Sequence, residues 1–193
     1  MIRPRMALKI RDYKPEDEED WLRCRVLSFL HSAYYDDVVP KHPPPTLPGF
    51  GLVAEESGTL VGVLDVSVEG ELATIDTIAV HPDAQRLGIG TAVFAAGRLR
   101  AVAAGATTIE AYTRDDEQAL GWYRAQHFEE SEHYLHVYAS LYADPAEPKR
   151  AIESARLGLD PVIVFSHHAL DREAELRQQF RRVHVCRRFS RRL

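Results

Sequence analysis

The strongest constraint on the fold is a change of rhythm at Val80. Upstream, three stretches rich in β-branched residues run in succession: Phe50 to Glu55, Leu60 to Val68 and Leu72 to Val80. Ser57-Gly58 and Glu69-Gly70 separate them, and short turn-forming pairs between such runs predict an antiparallel meander. Downstream, Ile89, Val93, Ala96, Leu99 and Ala103 recur at helical spacing as far as Gly105. The chain must therefore pass from a buried strand into a helix within about eight residues, through a connection that carries two glycines.

The flanking sequence fills in an α+β chain with a mixed, mostly antiparallel sheet flanked by helices. Leu8 to Arg11 reads as a short strand and Glu16 to Tyr34 as a helix. Pro15 suits the first turn of that helix, and the acids from Glu16 to Asp20 suit its positive end. Five prolines between Pro40 and Gly49 exclude helix and interior strand there. Thr107 to Thr113 is a further strand. Asp116 to Gln126 is a helix, with Asp115 and Gln118 spaced for a capping box. Ser131 to Ala139 is again strand-like. The residues after 140 differ in texture: a helix over Lys149 to Leu157, a strand over Pro161 to Ser166, a helix over Leu170 to Arg181 and a strand over Val183 to Cys186. Residues 1–140 are read as a core, and 141–193 as a strand–helix–strand extension that completes it or packs on it and could supply a dimer contact.

Composition narrows the function. At 193 residues, 45% hydrophobic and 27% charged, the chain can bury a core without metal or disulfide staples. Lys and Arg number 24 against 29 Asp and Glu, a net charge of −5. From Asp171 to the end eight arginines stand against three acids, a net +5 that leaves the remainder at −10, which predicts pairing within or between copies of the chain rather than nucleic-acid binding. No apolar run approaches the ~20 residues of a membrane span, and the start has no signal-peptide core. Two cysteines cannot build a disulfide framework, so a cytoplasmic setting is expected. The nine histidines lack zinc-ligand spacing, and the serines lack a hydrolase elbow.

The chemistry is concentrated between Ile78 and Ala92. A helix opening has up to four unpaired N–H groups and about half a positive charge, so the turn from Gln85 to Thr91 is suited to an anion. Gly88 and Gly90 would let phosphate oxygens approach without a Cβ in the way. Neither a Walker A lysine nor a third dinucleotide glycine follows. The pattern Val-x-Pro-x-x-Gln-x-x-Gly-x-Gly, Val80 to Gly90, resembles the acyl-coenzyme-A pyrophosphate loop of the GNAT superfamily of N-acetyltransferases. Downstream, Asp116-x-x-Ala119-x-x-Trp122-Tyr123-x-x-x-His127-Phe128 resembles that superfamily's Asn-x-x-Ala-x-x-Phe-Tyr-x-x-x-Gly-Phe helix. Asp116 replaces the usual Asn. His127 replaces the usual Gly, so a non-glycine residue is expected in the left-handed region there. Trp21 to Leu30 and Tyr134 to Tyr138 are similar to segments of an uncharacterised bacterial branch of the superfamily.

The resemblance implies the GNAT acyl-CoA N-acyltransferase fold and direct transfer of an acetyl group from acetyl-CoA to an amine whose identity it leaves open. It places the pantetheine arm against Ile78, Ala79 and Val80, and the pyrophosphate on Gln85, Arg86, Leu87, Gly88, Ile89, Gly90 and Thr91, with a cofactor contact at Asp116. Tyr123 is the expected proton donor to the leaving thiolate. An alkylammonium acceptor costs roughly 4–5 kcal/mol to deprotonate at neutral pH, so a base is needed. Asp76 is the first candidate and Glu110 the second. A non-catalytic acetyl-CoA-binding or interaction module of the same fold is the alternative, and a nucleotide-binding protein using the same loop a weaker one.

Overall fold

A computed structural model of the chain describes residues 7–43, 48–152 and 161–193. The chain divides into two compact units. The first comprises Met1–Ala111, Trp122–Glu129 and Ser190–Leu193, and the second Tyr112–Gly121 and Glu130–Phe189.

In the first unit, strands β1 (Lys9–Asp12), β2 (Gly49–Glu56), β3 (Thr59–Glu69), β4 (Leu72–Val80) and β5 (Thr108–Thr113, entering the second unit at Tyr112) lie in that order. The first four are antiparallel neighbours and β5 joins β4 in parallel, giving the expected meander followed by a crossover. Ser57 and Gly58 both take positive φ, which matches a two-residue turn to the twist of the strands it joins.

Helices cover both faces of this sheet. On one face α1 (Glu18–Phe29) buries Trp21 and Cys24 against Val53, Leu60, Val63 and Ala79. On the other lies α2 (Ile89–Ala103). Its buried face is Ile89, Val93, Phe94, Gly97 and Ala101, not the stripe through Leu99 and Ala103 that the spacing predicts; Leu99 is two-thirds exposed. Gly97 causes the rotation. A Cβ there would stand 2.3 Å from Leu64 Cδ2, so the helix is seated on β3 along the line where it lacks a side chain. α1 stops at Phe29, short of the predicted Tyr34, where Ser32 turns the chain: its hydroxyl meets the Phe29 carbonyl and the Tyr34 N–H. Arg25 then holds the following loop through the Asp37 carbonyl (2.6 Å) and carboxylate (3.0 Å).

The second unit contains β6 (Glu129–Ser140, from Glu130 on), β7 (Ile163–His168) and β8 (Arg182–Arg192, as far as Phe189), in the order β8, β6, β7. Helix α3 (Glu117–Ala125) begins in this unit and ends in the first. Leu135, Val137, Ala139, Val183 and Val185 pack on Leu176 and Phe180, which bracket the end of α5 (Glu173–Gln179). The short α4 (Glu147–Ala151) carries Glu147, whose buried carboxylate accepts the N–H groups of Ser140 (3.1 Å) and Arg181 (2.6 Å). The helix predicted over Lys149 to Leu157 thus begins earlier, and residues 153–160 lie outside the described residues. β8 is longer than the predicted Val183 to Cys186 because alternation continues through its arginines; Arg187 pairs with Glu130 (3.3 Å) and Arg188 with Glu132 (3.2 Å).

Candidate functional site

The site begins with an interrupted ladder. β5 pairs with β4 only from Leu72 to Ile75. The next residue, Asp76, is skipped in the register with β3, where Asp65 faces Thr77 and Val66 faces Ile75. Asp76 is therefore the extra residue of a β-bulge, a device that bends a strand and ends pairing. Beyond it, the His81 N–H donates to Val61 O at 2.9 Å, so His81 points toward β3. Backbone groups alternate along a strand, so Thr77 and Ala79 also point to β3, while Ile78 and Val80 present theirs to the unpaired edge. The backbone donors expected to hold an extended ligand arm face that open edge.

The edge leads into the glycine turn. His81 accepts the Ala84 N–H, and Gln85 is tied back twice, through its own N–H to Pro82 O and through its side-chain amide to Val80 O (3.1 Å). Arg86 (φ 60°) and Gly88 (φ 81°) both take the left-handed region, and the first backbone bond of α2 runs from Ala92 N–H to Gly88 O. The N–H groups from Gly88 to Thr91 precede the ladder of the helix, as an anion site requires. The two glycines have different tasks. A Cβ on Gly88 would meet nothing within 4 Å, so the residue is there for its φ. A Cβ on Gly90 would lie 3.5 Å from Trp122 Nε1 and Val80 Cγ2, at ordinary contact distance, so the space this glycine leaves faces Trp122. Thr91 accepts a hydrogen bond from the Gln126 side chain (3.2 Å). Arg86 and Leu87 lie in the turn ahead of α2, and Ile89 is buried at its start, with its Cγ2 3.0 Å from where a Cβ on Gly62 would stand.

Tyr123 lies on the last part of α3, buried, with its ring edge-on to Trp122 (centroids 5.1 Å) and Phe128 (5.3 Å). Burial pushes its phenol well above the ordinary tyrosine range, so it is a firmly protonated donor. His127 follows with φ 60°, the left-handed residue expected where a glycine is missing.

Three carboxylates lie on or beside the face that α1 covers. Asp76 accepts from Ser67 Oγ (3.1 Å), and its proton affinity is raised, chiefly by desolvation. Glu110 on β5 is buried beside Thr74 (3.4 Å). The third, Asp65 on β3, was not singled out from the sequence. Its two oxygens accept Trp21 Nε1–H (3.1 Å) and His42 Nε2–H (3.0 Å); burial raises its proton affinity, and the charge of Asp76 raises it further. The signal that could have found it is a lone carboxylate inside the apolar run from Leu60 to Val66.

Asp116, expected to touch a cofactor, lies in the second unit and accepts the Ala119 N–H at 2.9 Å. It caps α3 in place of the predicted Asp115, whose carboxylate is engaged by His184 (2.7 Å) and Arg177 (3.5 Å). Cys24 is buried, and desolvation pushes its thiol up to about 12, which makes it a poor nucleophile at neutral pH.

A meander, an open strand edge and a glycine turn into a helix define the N-acetyltransferase class of α+β folds, and solved structures of that class superpose on the chain. The ribosomal-protein-S18-alanine N-acetyltransferase of Escherichia coli does so with a TM-score of 0.59 at 13% identity, over 95% of this chain and 92% of its own. The PaiA N-acetyltransferase of Thermoplasma acidophilum, solved in complex with coenzyme A, gives 0.56 at 13%, over 65% and 92%. The IAA acetyltransferase of Bacillus cereus gives 0.55 at 15%, over 97% and 100%. Comparison with the curated proteins found no match. The acetyltransferase (GNAT) family profile matches residues 10–128, and the chain belongs to that family. The matched span runs from β1 to the residue after His127 and so contains the open edge, the glycine turn and Tyr123. Among the described residues, no helix is long and apolar enough to cross a membrane.

Proposed function

We propose that this chain transfers an acetyl group from acetyl-CoA to an amine by direct attack, with Tyr123 and Asp76 as its proton-handling residues. The observation that carries the reading is the open edge at Ile78 and Val80, continuous with the unpaired N–H groups of Gly88 to Thr91. An edge of that kind accepts an extended amide-bearing arm as an added strand. The N–H groups at the mouth of α2 accept a diphosphate. Acetyl-CoA carries both in one molecule, joined to a thioester.

The proton handling follows from the environments. An amine attacks only when neutral, and an alkylammonium is about three and a half units from that at pH 7. Asp76, at the bulge where the open edge begins, takes the proton directly or through a water chain; its raised proton affinity brings it closer to the operating pH. Tyr123 donates a hydrogen bond to the departing thiolate. Because burial raises the phenol further above a thiol, it stabilises the developing charge without surrendering its proton early. Cys24, with its thiol pushed up to about 12 by burial, is a poor acyl-enzyme nucleophile, which is in keeping with direct attack.

The test is calorimetric titration with coenzyme A, followed by thiol release from acetyl-CoA across a panel of primary amines. Binding with turnover of at least one amine supports the proposal. Binding with no turnover for any amine favours the non-catalytic module.

A further inference from the structure

A carboxylate in a protein core costs several kcal/mol unless every lone pair that faces the interior finds a donor. Asp65 meets that condition with two aromatic N–H groups from different parts of the chain, Trp21 on α1 and His42 in the proline-rich loop. The His42 imidazole is itself enclosed, stacked on Tyr13 (centroids 4.1 Å, planes 20° apart) and edge-on to Trp21 (4.5 Å, 88°). The opposite strand makes room for it. A Cβ on Gly51, the register partner of Asp65, would lie 2.9 Å from Asp65 Oδ1 and 3.0 Å from Tyr13 Cβ. The loop is anchored on β3 a second time where Val68 N–H meets Pro48 O (2.8 Å). On β4, the register partner of Asp65 is Thr77, the neighbour of the bulged Asp76.

We propose that Asp65 and His42 form a positioning pair for the acceptor step: the pair docks residues 40–43 on β3, next to the bulge that carries Asp76. The proposal rests on the reading of Asp76 as the group that receives the amine's proton. Charged and titratable groups face the pair from every side. Trp21 comes from α1 and Asp76, with its Ser67 partner, from the β3–β4 hairpin. Tyr13 follows β1, with the charges of Glu16, Asp17 and Glu18 near its phenol. Of these groups His42 can carry positive charge, and Asp17 is already paired with Arg11. The charge of Asp76 adds to burial in raising the proton affinity of Asp65, since two nearby carboxylates cannot both ionise freely.

The test uses the full chain and two readouts. The first is the indole N–H resonance of Trp21, assigned by its loss in Trp21→Phe; it titrates as Asp65 takes a proton, stops titrating in Asp65→Asn and shifts in His42→Ala. The second is the pH profile of thiol release. Asp65→Asn is expected to lower kcat roughly ten-fold, since misplacement near a reacting centre is costly. KM for acetyl-CoA should change by less than about two-fold, and the acid limb should keep its midpoint, because the proton affinity of Asp76 is set by its own desolvation and by Ser67. His42→Gln, whose amide N–H can still reach Asp65, should restore most of what His42→Ala loses. An indole resonance indifferent to Asp65→Asn and His42→Ala overturns the docking. A kcat unchanged in both Asp65→Asn and His42→Ala overturns the positioning role. Asp76→Asn, run in parallel, separates the cases: if it keeps the parent's acid limb, Asp76 is not the base and the role in the acceptor step fails with it, while the docking read by the indole stands or falls alone.

Discussion

Replacing Gly88 with alanine isolates the geometry of the glycine turn. Gly88 has φ 81° and open space where a Cβ would stand, so the substitution adds no clash. The cost is conformational. Holding an L-residue in the left-handed region costs roughly 1–2 kcal/mol. For a chain of this size each kcal/mol moves the melting temperature by about 2–4 °C, which predicts a Tm lower by about 2–8 °C. The alternative for the alanine is to leave that region, which turns the N–H groups of residues 88 and 89 away from the mouth of α2. Losing one or two charge-assisted hydrogen bonds at about 1.5–3 kcal/mol each weakens coenzyme A binding by at least ten-fold. Calorimetric titration with coenzyme A, paired with scanning calorimetry of the free protein, reads both effects. Gly88→Asn should retain most of the affinity, because Asn tolerates this region. Gly90→Ala, whose Cβ would make ordinary contact with Trp122 and Val80, should change affinity by less than about two-fold. A Gly88→Ala protein that melts with the parent and binds coenzyme A equally well would refute the argument.

Tyr123→Phe should lower kcat by about a hundred-fold, the scale of losing one donor to a developing charge, while the Kd for acetyl-CoA stays within about two-fold; an unchanged kcat removes Tyr123 from the mechanism. Asp17 accepts two bonds from Arg11 (2.7 and 2.8 Å) and one from the Lys14 N–H (2.8 Å), and these hold its carboxyl below the usual range. Its contribution is therefore present above the unfolded carboxyl's pKa and fades as the pH falls through the lower folded value. Asp17→Asn should cost about 1–2 kcal/mol at pH 7 and progressively less below about pH 4 in urea melts, and an equal cost at pH 2.5 would contradict this. Gly97→Ala forces a Cβ to 2.3 Å from Leu64 and should destabilise by about 1–3 kcal/mol despite the better helix propensity of alanine; denaturant melts should show Leu64→Ala relieving part of it in the double variant.

What the sequence revealed and what it hid divide along the range of the forces involved. The meander, the turn at Ser57-Gly58 and the passage from Val80 into α2 were legible because alternation, turn chemistry and helical spacing act between near neighbours. The left-handed His127 was legible for the same reason. The seating of α2 was not: hydrophobic spacing scores Gly97 as a gap, whereas the packing uses that gap as the closest point of approach. The cap of α3 was displaced by one residue because His184, 69 positions away, engages Asp115 and leaves Asp116 to the helix. Asp65 and His42 are 23 positions apart, and nothing local couples a carboxylate in an apolar strand to an imidazole among prolines.

The same distinction changes the meaning of the loop pattern itself. Val80 presents its backbone to the open edge, yet its carbonyl is approached by Ser28 Oγ at 2.7 Å and by the Gln85 amide at 3.1 Å. The Ser28 hydroxyl has a single proton, for which the Cys24 carbonyl also stands at 2.7 Å, so the Gln85 amide is the donor committed to the Val80 carbonyl. A strand added along this edge can therefore draw on the Val80 N–H and on both backbone groups of Ile78, and shares the Val80 carbonyl with Gln85. Gln85, which reads in sequence as part of an anion loop, serves as the tie between strand and turn. It fixes how far the N–H groups of α2 stand from the Ile78 edge. On the proposed function, an amide arm and a diphosphate would span the strand and turn that Gln85 ties together, and Gln85→Ala should weaken coenzyme A binding in calorimetric titration without removing a backbone donor from either end.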